Sequence, residues 1–439
     1  MDTVNAYPTK QFFLEMFTRD ISLEDCVLDL IDNSIDSLIR LRNLDIEEQV
    51  FGEWNHAETP AHVTIKFDRT EFRIEDNCGG ISRTDAENDV FCFGHRNGHR
   101  GTLGVYGIGL KRAIFKIGDY IEVESRRPEG NFKVIVDVPK WAAQKSETYD
   151  DWRFPIVSLP GKTSADRAGT KITITKLHKP VLTRLEAGSV ELLGGKVAQA
   201  YSVFLERNVQ VSINGSRVKR HPIPWGGADD VDSGKDGFED GGVKVILRAA
   251  LAPRDQWVTE SAGWYVLCNG RMVVSADRTE LTGWGDGGAG FHSKYRGFVG
   301  VALFLSADPF ELPWTTSKRG LNREARVFQI ARNRMRRVAR PVLSFLNKLY
   351  PSDPPEAAPQ RALTETLKSI DFQKDLRDRT TADFRFKRTA EPPKTRRVIY
   401  EAEVKDLERV RKRLRQANLS PSAIGKHTFN YFLKMECPE

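Results

Sequence analysis

Between Phe91 and Gly109 the chain reads FCFGHRNGHRGTLGVYGIG, six glycines in nineteen residues. So many residues without a Cβ exclude a regular helix or strand, and the run opens onto a helical pattern from Leu110 to Lys116. This predicts a mobile loop ending at a helix N-terminus, where unpaired amides and the helix dipole favour an anion. Gly101, Gly104, Gly107 and Gly109, with Lys111 behind them, suit a polyphosphate. Taken alone, the run is equally an ordinary surface loop. It is not the dinucleotide fingerprint, since the preceding strand and the G-x-G-x-x-G order are missing. PGKT at 160–163 is not a P-loop either, because Ile156 stands where glycine is required.

Two further segments carry chemistry. The pattern over 22–42 predicts a helix, with Ser22 as cap, Asp25 three residues on, and Leu23, Cys26, Val27, Leu30, Ile31, Leu38 and Leu41 on its apolar side. DLIDNSID places Asp29, Asn33 and Asp36 on one face at spacings of four and three. Asn33 there would hold Mg²⁺ through its oxygen while Asp29 orients a water; from the helix alone a solvated acidic face is the commoner outcome. In IEDNCGGIS, Asp76 follows a predicted strand at 71–75, and Gly79 and Gly80 permit a tight turn with close backbone approach. A carboxylate at that point can accept from the exocyclic amine of an adenine, although such a sequence by itself is usually only a turn. Strands are also predicted at 62–67, 119–124, 131–138 and 170–176.

The order of these segments, with Gly169-Thr170 opening a later strand, resembles the ATP-binding site of the GHKL superfamily: gyrase B subunits, heat-shock-90 chaperones, histidine kinases and MutL-type repair proteins. The resemblance spans residues 1 to about 180. It implies an α+β chain whose first part is a Bergerat-type ATP-binding α/β sandwich. In that site Asn33 is placed on Mg²⁺, Asp76 on the adenine amine, Gly80 beside the base, and Gly104, Gly107, Gly109 and Lys111 around the phosphates, while Thr170 supports Asp76. The segment 91–109 becomes a lid over ATP. Two positions depart from the pattern. Asp29 stands where hydrolysing members carry Glu, which predicts slow turnover with Asp29 as general base, and Cys78 stands where the first turn glycine is expected.

Domains are predicted at 1–180 and 181–350, followed by a proline-stiffened linker at 351–360 and a basic helical tail at 361–439. In the second domain a helix around 190–206 and strands at 209–213, 243–249 and 264–268 are expected, with polar inserts at 225–242 and 282–297 and an arginine-rich helix over 322–349. YVLCNGRMVV at 265–274 and LPWTTSKRG at 312–320 resemble the transducer domain of MutL-like and MORC-like ATPases, which implies that Lys318 reaches the terminal phosphate of ATP. Those residues alone are also ordinary, since Asn-Gly is common hairpin chemistry and a lysine in a polar loop is usually solvated.

The net charge of +7 comes from 67 basic and 60 acidic residues, and residues 361–439 hold 19 basic against 12 acidic, so the excess lies in the tail. Within it Tyr400, Val404, Leu407, Val410 and Leu414 recur at helical spacing and RVRKRLR at 409–415 is a dense positive run. DNA contact through this tail and a solvated helix packed on its own protein are both consistent with that pattern. The five cysteines are scattered without a CxxC pair, which suggests neither a disulfide framework nor a zinc site, and no apolar stretch suits a signal peptide or membrane span, so a cytoplasmic protein is expected. His95, Arg96, His99 and Arg100 read as exposed lid charges more readily than as phosphate contacts. The whole resembles a MORC-like, Mg²⁺-dependent ATPase that hydrolyses ATP slowly, pairs into a homodimer on nucleotide binding and acts on DNA, with bacterial antiphage defence as one setting. The alternatives are a heat-shock-90-like chaperone and an ATP-binding signalling scaffold.

Overall fold

Period-two alternation builds the first sheet. In β1 (Ala61–Phe67) the residues Ala61, Val63, Ile65 and Phe67 turn inward while their neighbours face out. The computed structural model describes residues 8–52, 54, 60–93, 103–104, 107–145, 148–186, 188–229, 231–285, 290–349, 367–386, 398, 401–416 and 418–437. The linker 351–360, most of the glycine-rich segment with Gly101, His95, Arg96, His99 and Arg100, and Tyr400 lie outside the described residues.

The remaining strands of this sheet are β2 (Glu71–Asp76), β3 (Gly118–Arg127), β4 (Gly130–Asp137), β5 (Ile156–Leu159), β6 (Gly169–Leu177), β7 (Val209–Ile213) and β8 (Ser216–Arg217), in the order β5-β4-β3-β6-β2-β1-β7-β8. All neighbours are antiparallel except β1 and β7. Covering the sheet are α1 (Lys10–Arg19), capped by Thr9, and α2 (Leu23–Leu41), where Ser22 accepts from the Asp25 amide at 3.2 Å as the sequence predicts. Then follow α3 (Ile46–Phe51), α4 (Gly109–Ile117) and α5 (Ser189–Ala200).

At Gly169 a Cβ would lie 1.8 Å from the Asp76 carbonyl oxygen, so only glycine lets β6 approach the end of β2. That approach brings the start of β6 beside Asp76.

A second lobe of the same compact unit has a five-stranded sheet, β11-β12-β15-β13-β14, made of β11 (Gly234–Asp240), β12 (Val243–Leu251), β13 (Gly263–Cys268), β14 (Arg271–Asp277) and β15 (Phe298–Leu305); β9 (Gly226–Gly227) and β10 (Val231–Asp232) precede it. Asn269 and Gly270, both at positive φ (49° and 84°), close the β13–β14 hairpin where the Asn-Gly pair predicts a turn. Every residue of β13 and β15 is buried, because the sheet is covered on both sides. The helix α6 (Arg326–Leu349) packs on β12, β11 and β15 through Phe328, Met335, Val342 and Leu346. On the other face lie Val50 and Phe51 of α3 and Phe372 and Leu376 of α7 (Phe372–Arg377).

The predicted boundaries need three corrections. Strand 209–213 belongs to the first sheet, since Val209, Val211 and Ile213 pair in parallel with Ala61, Val63 and Ile65. The insert 225–242 contains β11, which pairs along its length with β12. Residues 367–386 are not tail: β16 (Lys368–Ser369) pairs with β9, β17 (Arg385–Phe386) pairs with β10, and the buried Arg248 guanidinium donates to the Asp375 carbonyl at 3.1 Å. The break between compact units falls at Arg388/Thr389. The second unit contains α8 (Val404–Leu414), with no buried residue, and α9 (Pro421–Glu436), joined by Arg411 Nε donating to the Leu419 carbonyl at 2.9 Å. No helix among the described residues is long and apolar enough to cross a membrane.

Candidate functional site

A cavity of about 120 Å³ lies between α2, the end of β2, the start of β6 and the N-terminus of α4, and a turn of the second lobe reaches it through Thr316 and Lys318. Asp29, Asn33, Asp76, Gly104, Gly107, Gly109, Lys111, Thr170 and Lys318 all line it. Of the predicted site residues only Gly80 stands behind the wall, which Ile81 forms instead. At φ +69°, and with a hypothetical Cβ 2.8 Å from the Arg126 carbonyl oxygen, Gly80 shapes the turn rather than facing the cavity. Cys78 does not strain that turn: the positive φ values fall on Gly79 and Gly80.

Asp76 is held by three donors. Its Oδ1 accepts from the Cys78 amide at 2.9 Å and the Thr170 amide at 3.2 Å, and its Oδ2 accepts from the Ser34 hydroxyl at 2.8 Å. Burial pushes the carboxyl up and the hydrogen bonds pull it back, leaving it above the usual carboxylate range. With one donor on Oδ2, a lone pair remains there for an amine. Asn33, one helical position before Ser34, has a buried Nδ2 without a partner among the described residues. An amide that is buried and unmatched on a cavity wall is a site prepared for a ligand.

Asp29 is 4 % exposed, and Arg112 donates to its Oδ2 at 3.2 Å. Burial raises its carboxyl, with Lys318 opposing, so Asp29 is a stronger base than an exposed aspartate. Gly109 fits because a Cβ would press to 3.3 Å from the Asp29 side chain. Lys111 reaches the cavity wall with its ammonium already engaged. Its ammonium donates to the carbonyls of Val90 at 2.9 Å and Cys92 at 2.7 Å, so it fastens the base of the glycine-rich segment, and burial lowers it to about 8.

Two residues that sequence reasoning left without a role organise the site. Asp36 accepts from the Leu103 and Gly104 amides, each at 2.6 Å, and so anchors the far end of the same segment. Burial raises its carboxyl to about 6 from 3.8. A carboxyl raised on folding stabilises most below its unfolded pKa, and that contribution is lost as pH rises through the folded value. The stability of the wild type relative to Asp36→Asn is therefore expected to fall by up to about 3 kcal/mol between pH 4 and about 6.5. Melting curves across that window check it, and a constant difference would show that Asp36 does not titrate there.

Asp32 is the second. It is 1 % exposed and receives Arg271 Nε at 2.9 Å, Lys318 Nζ at 2.6 Å and the Tyr201 hydroxyl at 2.7 Å. Burial pulls its carboxyl up, but Arg271 and then Lys318 outweigh it and hold Asp32 ionised below the ordinary range. Lys318 sits at φ +52° on a turn closed by its amide donating to the Thr315 carbonyl at 2.8 Å, and Arg319 beside it pairs with Asp25 of α2. A left-handed lysine costs about 1 kcal/mol, which persists where surrounding contacts over-determine it. Lys318 therefore lines the cavity with its charge already matched by Asp32.

Mg²⁺ characteristically takes few protein ligands and completes its shell with phosphate oxygens and waters. Asn33 lines the cavity, where its side-chain oxygen would be the protein ligand of such an ion, while its unmatched Nδ2 is a donor that suits a phosphate oxygen. The cavity is smaller than the roughly 300 Å³ from which pockets usually enclose a whole ligand.

Residues 21–170 match the family described as histidine kinase-, DNA gyrase B-, and HSP90-like ATPase, about a third of the chain. The match supports the GHKL superfamily for this segment, whose domains generally bind ATP with Mg²⁺. No curated protein matches the chain.

Proposed function

We propose that the chain is an Mg²⁺-dependent ATPase that binds ATP in the cavity of the first lobe, hydrolyses it slowly and passes the nucleotide state to the second lobe. The observation that carries this is the meeting of Asp76 from β2, Asn33 from α2 and Lys318 from the other lobe on one cavity. Asp76 accepts from the base amine, and Asn33 would hold Mg²⁺, which would supply neutralisation of the triphosphate charge. Asp29, raised by burial, takes the proton of the attacking water. Lys111 and Asp36 hold the two ends of the segment that borders the cavity, and Lys318 offers its ammonium to the incoming phosphates in exchange for Asp32. An ATP-gated change at the lobe contact is supported by the Asp32 cluster; pairing of two chains and MORC-like action on DNA are carried by the resemblance alone.

Calorimetric titration with ATP and Mg²⁺, joined to a phosphate-release assay, tests this reading. Asp29→Ala is expected to keep its ATP affinity within a few-fold while turnover falls by about 10²-fold or more. Wild-type turnover in that variant would leave Asp29 as the structural partner of Arg112 alone.

A further inference from the structure

On the second lobe, away from the ATP cavity, α6 carries seven basic residues and no acidic one. The zero net charge of residues 1–360 conceals this. A helix of this length runs about 36 Å. Its outward positions are Arg326, Gln329, Asn333, Arg337, Arg340 and Ser344, then Asn347 and Lys348, all cationic or neutral hydrogen-bonding side chains. Such a track is longer than one small anion needs and matches the side chains that contact nucleic-acid phosphates.

Beside the track opens a cleft of about 730 Å³ between α6 and Thr282, Gly283, Trp284 and Tyr295. Trp264, Trp284 and Tyr295 form its floor, Arg336, Arg337 and Arg340 its basic wall, and none of its lining residues is acidic. Gly283, at φ +96°, lies against α6, where Arg336 Nε donates to its carbonyl at 3.3 Å. Arg337 is two-thirds exposed and reaches Asp236 at 2.7 Å, while Arg340 has no partner among the described residues. The floor also holds an unmatched donor: Trp284 is 4 % exposed, and its Nε1 is buried with no acceptor among the described residues. A buried indole N–H normally finds a partner, so its absence here points to an acceptor brought by a ligand.

We propose that this face binds single-stranded nucleic acid, with phosphates along α6 and one unpaired base in the cleft, where an acceptor on the base meets Trp284 Nε1. A duplex keeps its bases stacked and paired and would use the track without the cleft. The proposal is independent of the ATP-site reading and moves the nucleic-acid surface from the tail to α6.

The test uses the full chain and a labelled 30-nucleotide single strand, with the matching duplex alongside, in fluorescence anisotropy across a salt series. Arg337→Ala/Arg340→Ala is expected to weaken single-strand binding on the order of tenfold and to flatten the salt slope by about 1.4, two contacts' worth for a single strand. Ser344→Phe, which fills the exposed mouth without changing charge, is expected to remove the preference for single strand over duplex. Replacing Arg411, Lys412, Arg413 and Arg415 of α8 by Ala should leave both intact. The proposal is overturned if the single strand does not bind, if the double variant keeps the wild-type slope, if duplex binds as well as single strand in the wild type, or if only the α8 variant loses binding.

Discussion

Asp76→Asn is expected to lower ATP affinity by at least about 10²-fold, and Asn33→Ala to do so only when Mg²⁺ is present. The difference follows from what each residue offers. Asp76 is a pure acceptor whose Oδ1 already takes two amides and whose Oδ2 takes the Ser34 hydroxyl. An Asn in its place keeps one acceptor oxygen and turns two donors toward the base amine or the Ser34 hydroxyl. A site built to hydrogen-bond a group discriminates by about 10⁴ or more when that pairing is lost, because a buried polar group is left unmatched. Asn33 Nδ2 is unmatched among the described residues, so its removal costs little stability, and the loss of its side-chain oxygen acts through the metal. Calorimetry with ATP, with and without Mg²⁺, and with ADP as a control for base recognition separates the two. Unchanged affinity in both variants would mean that ATP, if bound, does not use this cavity.

Much of this site is legible in the sequence because its parts are local. Ser22 capping α2, the spacing of Asp29, Asn33 and Asp36, the glycine turn after Asp76 and the glycines before α4 each follow from a few neighbouring residues, and the cavity brings those residues together. What escaped depends on contacts distant in sequence. Asp32 lies among Leu28, Ile31 and Ile35 at helical spacing, which is the signal that it is buried and needs a counter-charge. Its partners Arg271 and Lys318, however, stand 239 and 286 positions away. Lys111 carries the right charge at the right helix end, yet its long stem turns back to carbonyls 21 and 19 residues earlier. The membership of β7 was hidden because parallel pairing needs a long crossover, and local alternation does not say which sheet a strand joins. Residues 367–386 share the composition of the tail, and only the scattered buried residues Leu367, Phe372, Gln373, Leu376 and Phe384 betray that they pack on the lobes. Summed charge hid α6 because acids elsewhere in the first 360 residues cancel its arginines.

Asp32→Asn is expected to destabilise the protein by about 3–5 kcal/mol and, among the molecules that remain folded, to sharpen discrimination of ATP from ADP. The first effect follows from burial. Asp32 is 1 % exposed, Arg271 3 % and Lys318 7 %, and breaking a buried ion cluster leaves uncompensated charge in a medium that cannot solvate it. Exposed pairs such as Arg409 with Asp406 on α8 contribute at most about 1 kcal/mol by comparison, so the two substitution sites serve as each other's control. The second effect follows from competition. Lys318 lines the cavity but is bound to Asp32 at 2.6 Å, so a triphosphate gains its ammonium only by displacing the carboxylate. With Asn at position 32 that competitor is neutral, and the γ-phosphate gains the full attraction of Lys318. Lys318→Ala removes the same attraction and must act in the opposite direction, reducing the preference for ATP over ADP. Denaturant unfolding of the two single variants and the double variant should give a coupling energy above about 1 kcal/mol, since the residues share one contact. Calorimetric ATP and ADP affinities then supply the sign. If both variants shift the ATP preference in the same direction, Asp32 and Lys318 join the lobes without sensing the nucleotide. If they shift it oppositely, the charge that holds the two lobes together is the charge that ATP must take over.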